Sequence, residues 1–184
     1  MDLFVVKYSG PFGFIKPWTA VRDGETFSQQ FLTPSIIEGM RQKLGVATIL
    51  KHRLTYEGIS KQQEVTHTRG WKFHKNDNSY ERARSILVRG VLINPDLFLA
   101  FGSEDDARVA FRQHICLARN EDVLLPTEYV GKLSEAEFDE IQGFELRFEE
   151  TDQSFLVGYN RFENSKPMYG WLFVTKRPLK MQTV

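Results

Sequence analysis

His67, Lys72, His74 and Tyr80 fall within one polar stretch of the chain and are residue types that metal-independent RNA cleavage can use. That reaction needs a general base on the 2′-hydroxyl, an acid at the leaving oxygen and a cation for the phosphorane charge. Catalytic groups must also be held rigidly. A basic, solvated segment carries histidines for a simpler reason, contact with phosphate, and the residues favour that reading over cleavage. Other chemistries find less material. Neither a GxxxxGK nor a GxGxxG phosphate loop occurs. His52, His67, His74 and His114 are scattered and no CxxC pair exists, so no metal site and no cofactor are expected. Cys116 lies two residues from His114, but side chains at that spacing diverge on a strand or a helix, and a lone cysteine ending an apolar helix reads as core.

The charge pattern supports binding. The 24 basic and 24 acidic side chains cancel overall. They are unevenly spread: Lys51 to Arg89 sums to +5, whereas Ser103 to Asp152 sums to −9. Opposed patches within a neutral total suit a protein that meets an anion on one side and a protein neighbour on the other. Cys116 is the only cysteine, which points to a reducing compartment, the cytoplasm. The opening Met1-Asp2-Leu3-Phe4 lacks the features of a secretory signal, and no apolar run is long enough to span a membrane.

The elements that must position these residues follow from periodicity. Leu3–Tyr8 reads as an opening strand, and residues 9 to 33, with Gly10, Pro11, Gly13, Pro17 and Gly24, as a long loop. Thr33 is an N-cap type and Pro34 suits the first helical position. Ile36, Ile37, Met40 and Leu44 then recur at helical spacing until Gly45. Ala47–Tyr56 predicts a second strand, and residues 57 to 82 an insertion. Ile86–Ile93 predicts a third strand, continued by Leu97–Phe101 after Asn94-Pro95-Asp96. Glu104–Ile115 predicts a second helix, and Ser134 with Glu137 a capping box. Phe144–Phe148, Phe155–Tyr159 and Trp171–Thr175 read as late strands. The expected class is α+β, a single ferredoxin-like βαββαβ domain over 1–184, the scaffold also of the RNA-recognition domain, with a basic insertion and extra C-terminal strands.

Three motifs carry a resemblance. Phe14-Ile15-Lys16-Pro17-Trp18-Thr19 is followed by Thr33-Pro34-Ser35-Ile36-Ile37-Glu38-Gly39. Arg84-Ser85-Ile86-Leu87-Val88-Arg89-Gly90-Val91 follows, and then Cys116-Leu117-Ala118-Arg119-Asn120-Glu121-Asp122. In this order they resemble the fifth CRISPR-associated protein family, of the repeat-associated mysterious protein (RAMP) superfamily, over roughly residues 3 to 125. Val88 stands one position early and Ala118 replaces the usual glycine. The resemblance implies a subunit of a Cascade-type surveillance complex that caps the 5′ handle of the crRNA, in a compact variant. Its implied partners are the crRNA, the CRISPR backbone subunits and the large subunit, target DNA indirectly through the complex, and transposition proteins where the system is transposon-associated.

By the same resemblance, the insertion acts as a thumb. Arg69 and Lys72 would meet phosphate and Trp71 would stack on a base. Thr33 and Ser35 would hold phosphate at the helix start, Lys16 and Arg22 would close over the handle, and Arg119 and Asn120 would line its path, with Glu121 orienting Arg119. Lys51 and Arg53 complete the candidate RNA contacts. The type I-C branch of the family also cleaves precursor RNA, which resembles a tyrosine before the Thr-Pro-Ser start and a Lys-His pair on the second helix. Here Gln30-Phe31-Leu32 precedes Thr33, and the second helix holds Arg108, Arg112 and His114. The expectation is therefore a protein that is not an enzyme, with metal-independent precursor cleavage as the alternative.

Overall fold

The computed structural model describes residues 2–17, 24–67, 70–160 and 164–181. In chain order the elements are β1 (Asp2–Ser9), β2 (Phe12–Gly13), β3 (Glu25–Phe27), α1 (Pro34–Leu44), β4 (Lys51–Thr55), β5 (Gly58–His67), β6 (Lys72–His74), β7 (Ser79–Glu81) and β8 (Arg84–Ile93). There follow β9 (Asp96–Phe101), α2 (Glu104–Ala110), β10 (Ile115–Cys116), β11 (Val123–Ser134), α3 (Glu135–Asp139), β12 (Phe144–Arg147), β13 (Phe155–Asn160) and β14 (Lys166–Val174). An eight-stranded sheet runs β10-β11-β1-β9-β4-β12-β14-β13. Its β1, β4, β9 and β11 are the four strands of a βαββαβ unit, lying in the spatial order fourth, first, third, second. The α+β, ferredoxin-like class is therefore the observed one, widened on one side by β12, β14 and β13.

The local signals explain α1. Pro34 occupies its first turn, the Ile36 and Ile37 amides donate to the Thr33 carbonyl, and Gly45 ends it at φ 69°, a conformation that suits glycine. Thr33 itself is extended and its side chain makes no capping bond. Met40 and Leu44 turn into the core with Ala107 and Ala110 of α2, against Val6, Tyr8, Leu97, Leu99 and Phe101 of the sheet. The Tyr8 hydroxyl donates to the Ala110 carbonyl at 2.7 Å, and burial pushes its pKa well above the ordinary phenol value. On the opposite face Leu3, Val5 and Ala100 pack against Phe138 of α3, where Ser134 and Glu137 complete the expected capping box.

Three expectations need correction. The third strand of the sheet is Asp96–Phe101 and not 86–93; β8 leaves the sheet altogether and pairs with β5 along ten residues, from Gly58↔Ile93 to His67↔Arg84. The insertion is thus a β-hairpin that runs through Ile93. Strand periodicity alone cannot say which sheet a strand joins. The loop at 9–33 contains β2 and β3, both of which pair with β8. The second helix stops at Ala110, because Phe111 caps it and the Gln113 side chain donates to the Leu44 carbonyl as the chain turns toward β10.

Gly143 enters β12 at φ 136°, and a Cβ there would run into the Leu54 carbonyl of β4. Gly143→Ala is expected to cost about 2 kcal/mol or more, lowering the thermal midpoint by roughly 4 °C or more. Thermal unfolding followed by circular dichroism would check this.

Candidate nucleic-acid interface

The inserted hairpin builds an arm. At its root β8 is flanked by β5 on one side and by β2 and β3 on the other. Phe27 of β3 lies across Gly90, where any Cβ would strike its ring, and the Lys61 ammonium sits 5.6 Å from the centre of that ring. Beyond Val88, among the described residues, only β5 and β8 continue. Antiparallel pairing sets Val65 beside Ile86, 60% and 58% exposed, and then His67 beside Arg84. Ten strand residues span roughly 33 Å, so the arm is long as well as thin.

The tip is a second hairpin. Asp77 accepts from the Ser79 amide and hydroxyl, and Asn78 adopts φ 53°, which turns β6 into β7. Register places Phe73 across from Tyr80, with ring centres 4.9 Å apart. Trp71 is 65% exposed, and the Arg82 guanidinium lies 5.5 Å from the centre of its ring. His67, Trp71, Tyr80, Glu81, Arg82 and Arg84 line one cavity of about 360 Å³. His74 Nε2 stands 3.2 Å from a Glu81 carboxylate oxygen. Among the described residues, no group of three or more His, Cys, Asp and Glu side chains is gathered where it could hold a metal ion.

At the arm's root two guanidiniums meet around buried Phe14, Arg89 paired with Glu64 and Arg119 with Asp122. Arg89 of β8 and Arg119 of the turn before β11 lie 5.5 and 5.2 Å from its ring centre. Arg119 donates from Nε and Nη2 to both oxygens of fully buried Asp122, at 2.8 and 2.7 Å, and pairs more loosely with Glu121 at 3.4 Å. Asp122 is therefore the main orienting group where Glu121 was expected. The hydrogen bond that Arg119 donates to Asp122 leads in raising the Arg119 pKa, and burial opposes it.

The other expected contacts separate into groups. Trp71 and Lys72 sit exposed at the arm tip, and Lys16, Ser35 and Asn120 are exposed on the body. Thr33 is half-buried at the start of α1. Arg22 and Arg69 lie outside the described residues. Lys51 and Arg53 must be withdrawn as RNA contacts. Arg53 is fully buried and pairs with Glu145 at 3.1 Å and Asp139 at 3.3 Å, while Lys51 pairs with Asp139 at 3.0 Å. Strand alternation turns both onto the face of the sheet that carries α3, where Asp139 and Glu145 engage them. The expected acidic surface at 103–152 also shrinks, since Asp122, Asp139 and Glu145 serve internal partners and Glu104 is paired with Arg108 on α2. Sequence reasoning did not assign Glu81, Arg82 or Arg84 to a site. The pairing of His67 with Arg84 depends on a register that only the folded hairpin reveals.

No protein-family model matches the chain, and no curated protein matches it. Solved structures do. A chain described as "CRISPR RNA-guided surveillance complex" superposes with a TM-score of 0.53 at 13% identity, over 96% of this chain and 91% of that one. Another, described as "Crystal structure of Cas protein", gives a TM-score of 0.43 at 16% identity, over 96% and 99%. The first likeness shows a shared fold. Among the described residues no helix is long and apolar enough to cross a membrane.

His52, on β4, is buried and accepts from the Leu146 amide through Nε2 at 3.3 Å. Burial, and then the neighbouring Arg53 charge, depress its pKa to about 3. The native protein therefore refuses a proton that the unfolded chain accepts near pH 6.5. Stability is unaffected by this group above that pH and falls as pH drops below it, by up to about 1.4 kcal/mol per pH unit. Urea midpoints measured at pH 7 and pH 5.5 should fall with acidity, and His52→Gln should remove that part of the slope. Arg53→Ala, which leaves Glu145 buried beside a hole, should cost about 3–5 kcal/mol in the same assay.

Proposed function

We propose that the chain is a non-catalytic RNA-binding subunit of a CRISPR surveillance complex, and that it caps the 5′ handle of the guide RNA. The observation that carries this reading is the arm, a hairpin with an aromatic and basic tip inserted between the second and third strands of a ferredoxin-like sheet. That is where the family resemblance implies a thumb. The three sequence motifs in their order support the same reading. So does the fold shared with a chain of a CRISPR RNA-guided surveillance complex.

In this reading Trp71 stacks on a base while Lys72 and Arg84 meet phosphates. Arg119, held by Asp122, and Arg89, held by Glu64, form a fixed ledge of guanidiniums at the arm root beside the Asn120 turn. Lys16, Thr33 and Ser35 supply further contacts along the body. Backbone subunits and the large subunit flank the chain, target DNA is met only through the assembled complex, and transposition proteins join where the system serves a transposon. The neutral total charge confines attraction for RNA to these local clusters.

One observation favours cleavage as a second reading: His67 and Tyr80 line the same cavity as Arg84, so a base, an acid and a cation meet in one place. Against it stand the missing tyrosine before Thr33 and the missing Lys-His pair on the second helix.

The experiment is equilibrium binding of the purified chain to single-stranded handle RNA across salt concentrations. Neutralising about three phosphates gives a log–log slope near −2, so that affinity falls by about an order of magnitude between 50 and 200 mM salt. Lys72→Ala and Arg84→Ala should each reduce the slope by about 0.7, whereas Lys51→Ala should leave it unchanged because that lysine is held against Asp139 on the α3 face of the sheet. Repeat RNA incubated with the protein in chelator should stay intact. Metal-free scission at one position, lost in His67→Ala, would make the chain a nuclease, and failure to bind handle RNA at all would end the capping role.

A further inference from the structure

The arm joins the body through two short links, Tyr56-Glu57 between β4 and β5 and Asn94-Pro95 between β8 and β9. Links this short fix where the arm starts more firmly than its tilt. A tilt of about 10° at the root would carry a tip roughly 33 Å away through about 6 Å, about twice the length of a hydrogen bond. A contact from arm to body must therefore set the direction if the tip and the Arg119 turn are to meet one ligand. Phe27 is not that contact, because it reaches Gly90 from β3, a strand of the same small sheet as β8.

Phe14 spans the junction. Gly13 before it pairs with Leu92 of the arm, and Ile15 after it is buried in the main core. Phe14 is itself only 2% exposed, yet it belongs to neither hydrophobic cluster of the described residues. Two guanidiniums lie against its ring instead, Arg89 from the arm and Arg119 from the body. Arg89 precedes Gly90, so alternation sets Phe14 on the opposite face of β8 from Phe27. Each guanidinium is held by its own carboxylate, Arg89 by Glu64 at 3.2 Å and Arg119 by Asp122 at 2.7 Å. The Asp122 hydrogen bond leads in raising the Arg119 pKa, and the Glu64 charge of the arm adds to it, so the two pairs act on each other across the junction. Gly13 also leaves room for Leu117 of the same body turn, which a Cβ would strike. We infer that Phe14 is the positioning residue of the arm: a ring shared by one guanidinium of the arm and one of the body fixes the direction in which the hairpin leaves the sheet. A planar guanidinium stacks on a ring, whereas a lysine ammonium is a hydrated point charge, so the contact depends on shape as well as charge. The direction is a property of the fold, and its use in holding RNA rests on the function proposed above.

The test measures the distance from arm tip to body by pulsed electron–electron resonance. Spin labels are placed on the full chain at Lys75→Cys in the tip turn and Ala136→Cys on α3, both exposed positions, with Cys116→Ser removing the native thiol. The parent should give one narrow distribution. Phe14→Leu, which keeps an apolar side chain and loses the ring, should broaden it about twofold. Arg89→Lys, which keeps the charge and loses the planar fork, should broaden it in the same way. Neither variant changes the formal charge, so affinity for handle RNA should fall about fivefold while the salt slope stays that of the parent. Both thermal midpoints should lie within about 5 °C of the parent's, which a change of direction without unfolding requires. Should Phe14→Leu fail to fold, Arg89→Lys at the less buried side of the contact carries the test. A distribution as narrow in the folded variants as in the parent would overturn the positioning role and leave Phe14 an ordinary buried residue, as would a parent distribution that is already broad. The distances need no RNA. A chain that fails to bind handle RNA would end the function proposed above, and the label distances would still decide the role of Phe14.

Discussion

A guanidinium with no access to water organises the wide sheet. Arg53 projects from β4 toward Asp139 of α3 and Glu145 of β12, its carbon centre 4.6 Å from the ring centre of Phe173 and 5.5 Å from that of Phe138. Arg147 reaches the same two carboxylates from β12 and stacks over Phe173 at 4.1 Å. Burial pulls the Arg53 pKa down and pushes that of Glu145 up. For Asp139 burial also acts upward, but hydrogen bonds and charge from Lys51 and Arg147 outweigh it and leave the carboxyl below its ordinary value. Ions taken this far from water are tolerated only when they are mutually paired. The network therefore binds β4, α3 and β12 together, beside the Phe144↔Leu54 backbone pairing that joins the three C-terminal strands to the βαββαβ unit in a single sheet.

That join has a functional consequence. Lys51, Arg53 and Arg147 share the carboxylates of Asp139 and Glu145, so these three cations are held by internal partners, and the fully buried Arg53 cannot reach a polyanion. Lys72 and Arg84 are exposed at the arm tip, and Arg89 and Arg119 flank Phe14 at its root, so guanidiniums and aromatic rings come together on or beside the hairpin inserted after β4. In the proposed function the ferredoxin-like body serves as a mount and the binding chemistry is carried by an addition to it, in keeping with the rule that function resides in sites grafted onto folds.

The arm is built close to its limit. A lone two-stranded hairpin is marginal in water. This one is stabilised at the root by β2 and β3, by Phe27 packed across Gly90, and by the Arg89–Glu64 pair, while its outer half leaves Val65 and Ile86 as an exposed cross-strand pair. Rigidity therefore falls from root to tip. A stacking platform tolerates that gradient, because a base can settle onto a ring that yields, whereas bond cleavage needs groups held within a fraction of an ångström.

Much of this was legible in the sequence. Pro34 and Gly45 bracket a helix wherever they stand in a fold, since a missing N–H and a left-handed backbone are local properties. Ser134 with Glu137 likewise specified its cap, and the apolar, β-rich runs Leu3–Tyr8 and Phe144–Phe148 specified strands. The basic and aromatic character of residues 57 to 82 was readable as composition, and the Arg119 turn as a motif. What the sequence could not decide was partnership. Ile86–Ile93 is as strand-like as Leu97–Phe101, and only the assembled sheets show that the first belongs to the arm and the second to the body. Lys51 and Arg53 look like surface cations until β12 and α3 bring carboxylates to them from more than eighty residues away. The cavity at the tip depends in the same way on the register that sets His67 beside Arg84. Backbone conformation follows from short-range sterics and hydrogen bonding, so the sequence determined it. Burial of charge and choice of strand partner are set by groups distant in the chain, and the tertiary structure alone decided them.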